Sequence, residues 1–68
     1  MARGKVKWFN DLKGYGFITS DEDYLDIYVH HSDIQANGYK TLKVGEQVEF
    51  EMAEGPEGLK AKNVTILN

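Results

Sequence analysis

Residues that interrupt regular structure recur at short intervals along this chain, at Asp11 to Gly14, Ser20 to Asp23, Asn37-Gly38, Gly45 and Gly55-Pro56-Glu57-Gly58. They cut it into short segments, none of which shows a sustained helical period. Segments 5–10, 15–20, 25–30, 46–53 and 60–67 are instead rich in Val, Ile, Phe, Tyr and Thr, side chains that suit a pleated, half-buried surface. Five short strands are expected. A minimal antiparallel sheet hides its edges by closing, so the expected architecture is a small closed or nearly closed barrel. Val48, Phe50 and Met52, alternating with Glu49 and Glu51, give the fourth segment one dry and one wet face. Segment 31–45 reads as an ordered loop anchored by Ile34, Leu42 and Val44, with Ser32 placed to cap one helical turn.

With 68 residues, 41% of them hydrophobic, the chain holds one core, and a single domain over 1–68 is expected. It has no cysteine, so packing alone must hold the fold, without disulfides or thiolate metal sites. That composition favours a reducing compartment. There is no apolar run long enough for a membrane span, and Met1-Ala2-Arg3-Gly4-Lys5-Val6-Lys7-Trp8 lacks the apolar stretch of a signal peptide. A soluble cytoplasmic protein with no membrane partner is therefore expected.

The formal charge is −3, which excludes coating of a polyanion by bulk charge. Its distribution is uneven. Arg3, Lys5, Lys7 and Lys13 face a single acid, Asp11, in the first 13 residues, whereas residues 14–39 carry five acids and no Lys or Arg. Five more acids lie in 46–57, with smaller cationic pairs at Lys40/Lys43 and Lys60/Lys62. An anion site must use those cationic patches.

The sharpest signal lies in segments 15–20 and 25–30. A hairpin pairing residues whose numbers sum to 45 sets Ile18 opposite Ile27 and Gly16 opposite Val29 on one face. The same register sets Phe17 opposite Tyr28, Tyr15 opposite His30 and Thr19 opposite Asp26 on the other. One small barrel has one interior, so both sets cannot be buried. Isoleucine and valine have no polar handle and take the inside, while the rings and the imidazole face water. Aromatics in strands are more often core than binding platforms, but four such residues sharing the face opposite an aliphatic one reverse those odds. Rings beside Lys7 and Lys13 suit a ligand that is planar and anionic, as single-stranded nucleic acid is. Glycine at 14 and 16 permits strong coiling and close backbone approach on this strand. Trp8 shares alternation parity with Val6, so either both point inward or a bulge near Lys7 turns the indole out.

Lys13-Gly14-Tyr15-Gly16-Phe17-Ile18 is similar to the RNP1 motif, and Ile27-Tyr28-Val29-His30 to the RNP2-like motif, of cold-shock domain proteins. Lys5-Val6-Lys7-Trp8-Phe9-Asn10, Gly38-Tyr39-Lys40-Thr41-Leu42 and Ala61-Lys62-Asn63-Val64 also resemble that family, and together the motifs cover essentially the whole chain. RRM domains carry a comparable glycine-aromatic motif, but their two helices have no counterpart here. The resemblance implies an all-β, five-stranded antiparallel Greek-key OB-fold barrel that binds single-stranded RNA and DNA with little sequence demand and a leaning to pyrimidines. It implies an RNA chaperone of the cold-shock response, with transcription antitermination in some members. By the same resemblance the stacking platform falls on Trp8, Phe17, Tyr28, His30, His31 and Tyr39, with Tyr15 beside them. Lys7 and Lys13 fall where cations meet phosphates, and Asp26 where a carboxylate accepts a hydrogen bond from a base. Phe9 sits at the border between stacking and packing. The chain departs from the family pattern at His31, where a larger aromatic is common and where protonation at low pH would favour an anion. It departs also at Tyr15 and Tyr28, where Phe is frequent, and at Glu57, in a loop often basic or neutral.

Two other function classes compete. His30, His31, Asp33 and Asp26 would start a metal or catalytic reading, but adjacent strand residues point to opposite faces, and no general acid and base pair converges. No cofactor, metal, small-molecule substrate or catalytic residue is expected. A barrel gripping an extended or proline-rich peptide with the same rings is the second alternative. A monomer is expected, with strand exchange at an open barrel edge as the other arrangement.

Overall fold

The β-rich segments form five strands in the structure, a computed structural model that describes residues 1–35, 40–56 and 58–67. They are β1 (Ala2–Asn10), β2 (Tyr15–Ser20), β3 (Asp26–His30), β4 (Gln47–Gly55) and β5 (Gly58–Ile66). The strands close into a barrel in the order β1-β2-β3-β5-β4. Antiparallel pairing joins β1 to β2 and β4, β2 to β3, and β4 to β5, while a short parallel seam at Tyr28 and Lys60 joins β3 to β5. A parallel bridge between Ile34 and Val64 lies outside the strands.

The β2–β3 hairpin has the expected register through all five pairs, from Tyr15 opposite His30 to Thr19 opposite Asp26. Ile18, Ile27 and Val29 are fully buried, joined by Val6, Val48, Phe50 and Val64 from the other strands. Each such side chain stabilises the fold by about 1.5–3 kcal/mol relative to exposure, which fixes the facing of every strand it sits on.

The question of Trp8 is settled by a register shift in β1, where Val6 pairs with Ile18 but Trp8 pairs with Phe17. Lys7 is the extra residue. The bulge leaves Val6 in the core and turns Trp8 outward, 42% exposed. Phe9 then packs against the core instead of joining the outer rings.

Among its described residues, segment 31–45 contains one 3₁₀ turn, at His31–Asp33, and Ile34 and Leu42 are buried as expected. Three details differ from the sequence expectation. The turn is capped by the His30 side chain, which accepts from the Ser32 amide, so Ser32 is the capped residue. Val44 is 74% exposed: it sits with Gly45 at the tip of a turn held by the Glu46 amide on the Lys43 carbonyl. Met52 is 41% exposed because β1 covers β4 only from Gln47 to Phe50, so β4 continues past the core with β5 as its sole partner among the described residues.

Candidate nucleic-acid interface

Four rings on the outer wall of β1, β2 and β3 form a closed circuit. Trp8 meets Tyr15 edge-on at 5.5 Å between centroids, Tyr15 stacks with Tyr28 at 5.9 Å, Tyr28 meets Phe17 edge-on at 6.1 Å, and Phe17 stacks with Trp8 at 6.3 Å. These spacings are those of favourable aromatic pairs, so the rings brace one another while remaining partly open to solvent. The platform exists because the hairpin register and the β1 bulge bring rings from three strands to one face.

Close approach of β1 and β2 beneath the platform depends on Gly16. A Cβ there would lie 2.2 Å from the Trp8 carbonyl oxygen and 2.7 Å from the Phe9 Cα. Gly14 makes room for a side chain, where close backbone approach was expected. It ends the β1–β2 turn at φ 74°, its amide donating to the Asn10 carbonyl, and its missing side chain makes room for the His31 ring, whose Cδ2 would lie 2.4 Å from a Cβ. The His31 amide donates to the Gly14 carbonyl at 2.8 Å and holds this packing.

His30 and His31 are brought together, contrary to the expectation from strand alternation: their ring centroids lie 4.4 Å apart. The reason is that β3 ends at His30 and the chain turns at once into the 3₁₀ helix, which swings His31 round to its neighbour. His30 Nδ1 accepts from the Ser32 amide at 3.2 Å and lies 2.8 Å from the Ser32 hydroxyl. With Nδ1 accepting, the neutral imidazole carries its proton on Nε2, as a donor for a ligand. Among the described residues no group of three or more His, Cys, Asp or Glu is placed to hold a metal ion.

The two lysines assigned to phosphates differ in state. Lys13 is exposed in the β1–β2 turn, where its amide donates to Asn10 Oδ1 at 2.9 Å. Lys7, on the bulge, instead extends its ammonium to the Asp26 carboxylate at 2.9 Å. Both partners are about half exposed, at 56% and 48%, so the pair is worth little in stability. Its consequence is electrostatic: in the free protein the Lys7 cation is already neutralised, and so is the carboxylate expected to meet a base. Tyr39 lies outside the described residues, as does Glu57.

A cavity of about 420 Å³ opens beside the rings, walled by Phe17 and Tyr28 on one side and by Pro56, Leu59 and Lys60 on the other. The sequence reading missed it. The turn at 55–58 was legible, but the β3–β5 seam that brings β5 against Tyr28 is a pairing between distant segments, with no local signature.

Residues 2–67 match the family model described as the 'Cold-shock' DNA-binding domain. The chain is 56% identical over 64 residues to the cold shock-like protein CspA of Stigmatella aurantiaca, covering 94% of each. It is 55% identical over 67 residues to the major cold shock protein of Micrococcus luteus, covering 98% of this chain and 100% of that one. To the cold shock-like protein CspE of Escherichia coli it is 52% identical over 65 residues, covering 96% of this chain and 94% of that one. Among solved structures, drosophila Unr CSD456 is similar with a TM-score of 0.80 at 18% identity, covering 98% of this chain and 26% of that one, a likeness of fold.

Proposed function

The chain belongs to the cold-shock domain family of non-enzymatic, nucleic-acid-binding proteins, and from that footing we propose that it binds single-stranded RNA and DNA by stacking bases on its outer ring circuit. The observation that carries this reading is the circuit itself: Trp8, Tyr15, Phe17 and Tyr28 lie outside a barrel whose interior is filled by aliphatic side chains and Phe50. Rings exposed together on a small protein suit a planar ligand, and each stacked base contributes about 1–3 kcal/mol whatever its identity. A few bases then suffice for useful affinity despite the protein's net negative charge.

In this reading His30 and His31 continue the platform past the end of β3, and Tyr39, outside the described residues, also stacks a base. Lys13 meets a phosphate directly. Lys7 and Asp26 part when the strand arrives, the ammonium turning to a phosphate and the carboxylate to a base N–H. Because stacking makes little sequence demand, the protein keeps transcripts unpaired, acting as an RNA chaperone in the cold-shock response, and the same activity at a terminator hairpin gives transcription antitermination.

The test is a titration of Trp8 fluorescence with a short oligothymidine at two salt concentrations. The expected result is quenching, with log affinity falling against log salt at about −0.7 per neutralised phosphate. Absence of quenching, or an affinity indifferent to salt, would favour the peptide-binding alternative and remove the proposal. Opening of a fluorophore-labelled RNA hairpin, and readthrough at an intrinsic terminator in transcription, test the chaperone and antitermination activities.

A further inference from the structure

Lys60 is placed unlike the other lysines near the ring platform. On β5 it stands across from Ala53 on one side, and across the parallel seam it is paired with Tyr28 on the other. Cross-strand partners share a face, so its side chain leaves the barrel beside the Tyr28 ring, where it lines the cavity with Phe17, Pro56 and Leu59. Its stem runs close to Gly55, where a Cβ would meet the Lys60 Cδ at 3.9 Å. Among the described residues no carboxylate is paired with its ammonium. Lys62, two residues on, stands across from Glu51, and Lys7 is already committed to Asp26.

The cavity therefore combines a ring wall, an aliphatic wall and a cation at its rim, and its volume is within the range of small-ligand sites. One base fits against Tyr28 and Phe17, with the adjoining phosphate at the rim. We propose that Lys60 is a phosphate-binding residue of the nucleic-acid site, and that the bound strand leaves the ring circuit across the β3–β5 seam into this cavity. The inference rests on the single-strand-binding reading and extends it to β5.

The test measures oligothymidine affinity at several salt concentrations for the unaltered protein, Lys60→Gln and Lys62→Gln, with thermal melts to establish that each variant is folded. Both substitutions remove the same charge from the same strand, and only one touches the cavity. Lys60→Gln is expected to lower affinity at low salt and to make the salt slope shallower by about 0.7, so that affinity lost between 50 and 200 mM salt shrinks by roughly 2.6-fold. Lys62→Gln is expected to leave the slope unchanged. Equal slopes for the unaltered protein and Lys60→Gln would overturn the assignment, as would equal flattening by both variants, which would mean bulk charge. Failure of the unaltered protein to bind would instead overturn the functional reading itself.

Discussion

Adding one methyl group at Gly16 tests the packing beneath the rings. Its Cβ would sit 2.2 Å from the Trp8 carbonyl oxygen, 2.7 Å from the Phe9 Cα and 2.8 Å from the Phe9 Cδ1. Two of these three atoms are backbone, so relief requires β1 to move away from β2. Overpacking of this kind costs about 1–3 kcal/mol, and the backbone contacts set the expectation in the upper part of that range, about 2–3 kcal/mol. For a domain of this size each kcal/mol corresponds to about 4–8 °C, so Gly16→Ala should melt roughly 8–24 °C lower. Gly55→Ala is the matched comparison. Its Cβ meets only the Gly58 carbonyl oxygen at 3.7 Å and the Lys60 Cδ at 3.9 Å, ordinary contact distances. Both changes restrict the unfolded chain equally, an effect that by itself stabilises by about 0.4–1 kcal/mol. The difference between the two melts, followed by circular dichroism, thus isolates the clash in the folded state. Equal melting temperatures would refute the close approach of β1 and β2, and with it the account of how the indole is held over the platform.

Ile18→Ala should cost about 2–5 kcal/mol of stability in denaturant melts, since the side chain is fully buried. Phe17→Ala should instead weaken oligothymidine binding by about 1–3 kcal/mol with a modest stability loss, and the reverse pattern would place the hairpin faces the other way round. Lys7→Gln removes the cation that leaves its ion pair with Asp26 for a phosphate, so the salt slope of binding should become shallower by about 0.7 while stability changes by less than about 1 kcal/mol; a slope that does not change would show that Lys7 never reaches a phosphate. Tyr24 is exposed and has φ 58°, a left-handed conformation costing about 1–2 kcal/mol for a residue with a Cβ. Tyr24→Gly, partly offset by the entropy of the unfolded chain, should raise the melting temperature slightly and leave binding unaltered.

The hairpin was legible because both of its signals are local: a turn on each side, and a two-residue alternation whose slip by one would bury Tyr15 and expose Ile18. The outward facing of the rings followed from the same arithmetic. Trp8 was not decidable, because a bulge reverses parity at a cost set by neighbours in β2 and not by β1 itself. Met52 carried the right alternation and is nevertheless exposed, since alternation describes a face and says nothing of where the neighbouring strand stops. The meeting of His30 with His31 and the pairing of Lys7 with Asp26 have a common origin. In each, two side chains distant by strand logic are joined where the strand geometry changes, at the end of β3 and at the bulge in β1. The Lys60 cavity lay furthest from view, because its two walls come from segments joined only by the parallel seam.

The extra residue at Lys7 also decides what the chain's lone indole can report. Set on the outer wall, the chromophore is separated from the events inside the cylinder around Phe50. Its emission follows occupancy of the wall, whereas far-ultraviolet dichroism follows the backbone, so occupancy and unfolding can be read from one sample as two optical channels. Were Lys7 an ordinary ladder residue, with the bulge lost and the chain length kept, the indole would share the parity of Val6, turn inward and merge the two signals into one.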